Sequence, residues 1–140
     1  MHISFALFAD AANLSQEGKL NILGVFDAVQ VASFPTVHPR ANLVVRVKGR
    51  RSDAGSHSVT LRWLNPDGEE LWSSTGELNI GTPPPGVQEM DVPLIASVDL
   101  PLDKPGSYTL AVALDDTPKG DITLQARAGA PPVPSGGMVS

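Results

Sequence analysis

The chain has 140 residues, 41% of them hydrophobic and 18% charged, with 13 Gly, 13 Pro and a formal net charge of −5. That length suits a single domain able to bury roughly two thirds of its unfolded surface, and the apolar content excludes disorder throughout. The absence of cysteine excludes disulfides, thiolate metal sites and cysteine nucleophiles, and the negative balance gives no general attraction for nucleic acid.

No apolar run approaches the ~20 residues needed to cross a bilayer, so no membrane partner is expected and the cytoplasm is the default location. The opening, Met1 to Ala12, has no Lys or Arg ahead of its short apolar stretch. It therefore reads as a first strand, near Ile3 to Ala9, and not as a signal peptide. A polar link, Asn13 to Gly18, leads to a second strand over Lys19 to Val31, apolar enough to lie centrally, with Gly24 marking a bulge or a close backbone approach. After Phe34-Pro35 and His38-Pro39 the third strand places Leu43, Val45 and Val47 on one face. Asn42, Arg46 and Lys48 take the other, together with Val44. The fourth puts Val59, Leu61 and Trp63 inward.

Asn65-Pro66-Asp67-Gly68 is the strongest local signal. Proline presets the first central turn position and glycine takes the left-handed position that follows, giving a three-residue hairpin loop. The loop pairs Asn65 with Glu69, which sets Trp63 opposite Leu71 and Arg62 opposite Trp72. The Gly81 to Gly86 stretch, with Pro83-Pro84-Pro85, is a loop. A further strand alternates Met90, Val92, Leu94, Ala96 and Val98, and Pro93 puts it at a sheet edge. Pro105-Gly106 turns into Tyr108, Leu110, Val112 and Leu114; Asp115 to Gly120 turns again into Ile122, Leu124 and Ala126. The shared parity of Leu43, Val45, Val47, Val59, Leu61, Trp63, Leu110, Val112 and Leu114 makes them the expected core. Residues 129–140 form a Pro/Gly-rich tail with no means of strand pairing. The pattern predicts an all-β domain over 1–128: an antiparallel two-sheet β-sandwich of about eight strands, immunoglobulin-like or jelly-roll-like, with a small closed barrel as the alternative.

Ala9-Asp10-Ala11, the run Glu17 to Asp27 (EGKLNILGVFD), Phe34-Pro35 with His38, and Pro66-Asp67-Gly68 carry a likeness. They resemble an uncharacterised family of small bacterial and phage-associated proteins. The likeness covers the first half well and the second half in strand pattern. It implies a β-sandwich with no assigned activity. Pro105-Gly106-Ser107-Tyr108 is similar to the turn before a late strand in many immunoglobulin-like modules.

Candidate chemistry is sparse. His2, His38 and His57 lie far apart in sequence, so each reads as a solvated or hydrogen-bonded histidine unless folding brings His38 to His57. Asp115-Asp116, with Asp99 and Asp103, could suggest loop-bound calcium but reads first as turn chemistry. No Gly-x-Ser-x-Gly elbow or phosphate-binding glycine loop is present, so no cofactor and no catalysis is expected. The charge distribution says more. Arg40, Arg46, Lys48, Arg50, Arg51 and Arg62 are six of the ten basic residues, whereas acids dominate Glu89 to Asp121. Arg40, Arg46, Lys48 and Arg50 share parity and predict an outer-face stripe, either a dock for acidic surface or a solvated sheet face. Trp72, on the Arg62 face, is either an exposed anchor or a side chain covered by the proline run. The expected function is a non-enzymatic protein-binding or assembly module, its partner a protein or further copies of itself. The alternative is a small-ligand or carbohydrate-binding sandwich built around Trp72.

Overall fold

Alternating apolar residues become nine strands in the computed structural model, which describes residues 1–129. They are β1 (His2–Leu14), β2 (Leu20–Phe26), β3 (Ala28–Val31), β4 (Thr36–Arg50), β5 (Gly55–Leu64), β6 (Glu70–Ile80), β7 (Glu89–Leu102), β8 (Gly106–Leu114) and β9 (Thr117–Ala128), with one 3-10 turn at Arg51–Asp53. Two sheets form, in the orders β2-β1-β4-β7 and β3-β9-β8-β5-β6. One core is shared between them: Phe8, Leu43, Val45 and Val47 of the first sheet pack with Val59, Leu61, Trp63, Leu110, Val112, Leu114 and Leu124 of the second. All nine expected core residues are buried. The architecture is a β-sandwich and not a closed barrel. The part of the predicted tail beyond Gly129 lies outside the described residues.

The expected single central strand over Lys19 to Val31 is two strands, and neither is central. β2 is the edge of the four-stranded sheet, and β3 crosses to the edge of the other, where it pairs with β9. That pairing is parallel, so the domain is not antiparallel throughout. Asp27 is the crossing point; its carbonyl accepts the Gln125 N–H at 2.8 Å. An apolar run looks the same whether it stays in one sheet or bridges two, because both halves alternate.

The hairpin after β5 begins in the expected register: Asn65 N–H donates to Glu69 O at 2.9 Å, and Gly68 has φ +82°. One residue later the register departs. Leu64 pairs with Glu70, but Trp63 pairs with Trp72 and Arg62 with Ser73, so Leu71 is the extra residue of a bulge. The second late turn is also tighter than expected. Asp115 and Asp116, both with positive φ (49° and 64°), make a two-residue hairpin turn, and Thr117 to Gly120 already belong to β9. β7 lies at a sheet edge, as Pro93 requires.

Candidate functional site

The most distinctive geometry belongs to β1 and β2. β1 pairs with β4 only as far as Ala9, opposite Asn42; beyond that it pairs with β2 alone. The two strands continue as a ribbon that turns back over the outer face of the four-stranded sheet. Gly18, Lys19, Leu20 and Ile22 near the ribbon tip face Phe5, Arg46, Asp91 and Pro93 across a cleft of about 510 Å³. The ribbon, here called the arm, is amphipathic. Ala12, Leu20 and Ile22 are half-buried, while Ala11, Asn13, Asn21, Leu23 and Val25 are exposed. Val44 points away from the core, between Leu7 and Ile95, yet is 0% exposed. A fully covered outward-facing residue is the mark of a second layer above it.

Gly24 sits where the arm leaves the sheet. Its φ is +73°, and a Cβ there would stand 2.9 Å from Asp10 Cγ and 3.0 Å from Asp10 Cβ. Of the two readings of this glycine, the close approach is the one observed; the β1–β2 register runs through it unbroken, with no bulge. The tip is closed by Gly18 N–H donating to Ser15 O at 3.0 Å and Ser15 N–H donating to Lys19 O at 2.8 Å. Asn21 Nδ2 adds a rung to Asn13 Oδ1 at 3.0 Å.

The arm leaves apolar side chains in water. Leu23 is 72% exposed, Val25 61% and Leu14 48%. Sequence reasoning missed this because it placed the strand centrally. The only available signal was the glycine at position 24, which interrupts an otherwise regular strand.

The basic residues do not gather into one stripe. Arg46, Lys48 and Arg50 do share the outer face of β4, but β4 is an interior strand, and β7 supplies the opposite charge. Arg46 forms an ion pair with Asp91, Lys48 Nζ lies 3.4 Å from the same carboxylate, and Arg50 sits opposite Glu89. The Arg46 guanidinium, hydrogen-bonded to Asp91, holds that carboxyl below its ordinary range. Arg40 lies in a bulge between His38 and Ala41, with φ 52° and its backbone N–H donating to Asp99 Oδ1 at 2.9 Å. Arg62 is in the other sheet, where its Nε donates to Glu70 Oε1 at 2.7 Å. The acidic half of the chain thus folds against the basic half.

Trp72 does not lie on the Arg62 face. The bulge at Leu71 turns it onto the face of Trp63, where it packs half-buried against the core. Its indole N–H donates to Asp99 O of β7 at 3.0 Å, and Trp63 donates in the same way to Pro101 O at 2.9 Å. β7, and not the proline run, covers it. Both tryptophans bridge the two sheets through their polar edges.

A family model described as a family of unknown function, DUF6941, matches residues 4–127. The chain belongs to the DUF6941 family. This accords with the likeness to an uncharacterised family carried by segments of residues 9–38 and by Pro66-Asp67-Gly68. A comparison with curated proteins yields no match.

The polar clusters of this DUF6941 chain are structural in their bonding. His57 Nδ1 is 2.5 Å from Asp115 Oδ2 and its Nε2 is 2.5 Å from Asp53 O, so both ring nitrogens are engaged. The hydrogen bond that His57 donates to the Asp115 carboxylate raises the His57 pKa, and the same bond lowers that of Asp115. Asp53 is held low by the Arg50 N–H and by the Met1 ammonium at 2.9 Å. His38 instead lies tilted against Phe26, with ring centroids 5.3 Å apart, so the two histidines have separate partners. Among the described residues no group of three or more His, Asp or Glu side chains could hold a metal ion. Asp115 caps Ser58 N–H at 2.9 Å, and Asp103 receives Asn65 Nδ2 at 2.9 Å. No described helix is long and apolar enough to cross a membrane.

Proposed function

We propose that this DUF6941 protein is a protein-binding or assembly module that docks through the arm formed by β1 and β2. The observation that carries the reading is the exposure of Leu23 (72%) and Val25 (61%) on one solvent face of that arm. Single exposed apolar residues are ordinary, but neighbouring ones on an open strand edge are the usual mark of a contact surface. The reading is tested with wild type and a Leu23→Lys, Val25→Lys double variant as baits, with an unrelated β-sandwich as the control. A docking module retains a defined protein, itself included, that the double variant releases and an Arg62→Glu variant keeps. Equal recoveries by wild type and the unrelated sandwich count against it.

The sandwich itself we read as immunoglobulin-like. Three features support that: β3 running parallel to the last strand, a buried Trp63 on the strand after β4, and Tyr108 at the start of β8. The Tyr108 hydroxyl accepts the Lys104 N–H at 2.9 Å and lies 2.6 Å from Lys104 O, four residues upstream, as in a tyrosine corner. In that frame the arm is an elaboration of the first strand, added to the scaffold and available for function. A bacterial or phage-associated setting, implied by the likeness that segments of residues 9–38 and Pro66-Asp67-Gly68 carry, fits an assembly role.

A second reading is favoured by the cleft beneath the arm. Its volume of about 510 Å³ is within the range of small-ligand sites, and Phe5, Leu20, Ile22 and Pro93 surround the Arg46–Asp91 pair. A ligand there would be apolar with one group able to bond that ion pair. Ligand-induced chemical-shift changes confined to these residues in a fragment screen support it; changes scattered over the surface speak against it.

A further inference from the structure

We propose that the arm's partner is a second copy of this chain, joined by antiparallel pairing of β2 with its two-fold mate and centred on Leu23. The inference rests on the docking role given to the arm and names its occupant.

The two sheets have four edge strands, β2, β7, β3 and β6. Natural edge strands are protected by charge, proline or brevity. β6 carries Glu70 and Glu77, β7 carries Asp91, Asp99, Pro93 and Pro101, and β3 has 4 residues. β2, Leu20–Phe26, has neither a charge nor a proline, and it pairs with no strand but β1 among the described residues. An edge left unprotected while its neighbours are guarded is suited to pairing.

The backbone groups of β2 divide between β1 and the open edge. Ser15 N–H donates to Lys19 O, so Lys19 directs its carbonyl toward β1. Every β1–β2 pair keeps one register, from Leu14↔Leu20 to Phe8↔Phe26. In an antiparallel ladder the direction alternates residue by residue. Asn21, Leu23 and Val25 therefore also bond toward β1, and Leu20, Ile22, Gly24 and Phe26 direct their N–H and C=O groups to the open edge. A two-fold axis at Leu23 sets Leu20 against Phe26 of the mate and Ile22 against its Gly24. All the paired groups are ones that β1 leaves free.

Lys19 and Asp27 flank β2, both exposed and each four residues from Leu23. The same axis therefore puts Lys19 of each copy beside Asp27 of the other, twice by symmetry. The only ion pair Lys19 makes among the described residues is a loose one, Nζ to Glu17 Oε2 at 3.9 Å. Leu23 would meet its mate at a non-hydrogen-bonded position, where facing Cα atoms stand about 4.5 Å apart and side chains are closest.

The test uses the absence of native cysteine. Leu23→Cys gives one thiol per copy on the axis, and a Cα separation of about 4.5 Å lies within the range a disulfide spans. Under mild oxidation Leu23→Cys should cross-link at least about tenfold faster than Asn21→Cys or Val25→Cys alone. A mixture of the last two should cross-link with each other, since the axis pairs residue 21 with residue 25. In parallel, sedimentation of the native protein should show concentration-dependent dimer. Asp27→Lys should weaken it about tenfold, and Lys19→Asp added to Asp27→Lys should restore it. Similar cross-linking rates for all three cysteine variants, or a monomer at every concentration, overturn the homodimer. A monomer that still retains a foreign protein through Leu23 and Val25 would leave the docking role standing and remove only the second copy.

Discussion

Replacing Gly24 by alanine tests whether this residue is what lets the arm fold back over the sheet. At φ +73° an L-residue is in the left-handed region, which costs an alanine roughly 1–2 kcal/mol. The new Cβ would also stand 2.9 Å from Asp10 Cγ and 3.0 Å from Asp10 Cβ, nearer than Cβ atoms pack. If Asp10 cannot swing clear, overpacking adds on the order of 1 kcal/mol more. The arm makes few bonds beyond its own ribbon, so the loss should appear as local opening before global unfolding. Hydrogen exchange of Asn13, Asn21 and Leu23, whose amides face the neighbouring strand, is the suitable assay. Gly24→Ala should speed their exchange by about tenfold or more, since 1.4 kcal/mol is a factor of ten. Asp10→Ala in the same chain should return part of the loss, because it removes Cγ and the carboxylate oxygens but not the left-handed backbone. Exchange within twofold of wild type, with no coupling to Asp10, would refute the assignment of Gly24 as the hinge of the arm.

Three further outcomes are expected. Val112→Ala, at a fully buried site on β8, should lose about 1–3 kcal/mol in urea unfolding; less than about 0.5 kcal/mol would contradict its place in the core. His57 has a raised pKa in the folded state, so its contribution is complete below its ordinary 6.5 and fades as pH rises through the raised value. Asp115 has a lowered one, so its contribution is present above its ordinary 3.8 and fades as pH falls through the lowered value. The pair therefore stabilises most between about pH 4 and 6.5, and a His57→Gln variant should lose the decline on the alkaline side of that window; an unchanged melting-temperature profile above pH 6.5 would contradict this. Arg46→Glu should cost up to about 1 kcal/mol, as for a surface pair, and Asp91→Arg in the same chain should recover it; no recovery would mean the two charges are not coupled.

Most of the strand pattern was legible because burial on one face of a sheet writes itself as period-two alternation. Leu43, Val45 and Val47, or Leu110, Val112 and Leu114, can satisfy that alternation in only one way. The turn at Asn65–Gly68 was legible for a similar reason, since proline and glycine restrict their own backbones. Arg46, Lys48 and Arg50 were rightly placed on one face by parity alone.

Tertiary structure decided what local rules leave open. Parity says which face a residue takes but not which strand lies beside it, so the sequence could not show that β7 would bring Asp91 to Arg46 and Lys48. A turn fixes register only until the first bulge, and the extra residue at Leu71 moved Trp72 from the outer face to the core. The longest-range choice was made at Asp27, where an alternating run crosses from one sheet to the other. The crossing leaves β2 at an edge. It also frees β1 to follow β2 into the arm, so exposed Leu23 and Val25 come from sheet order, which arises from pairings between residues far apart in the chain.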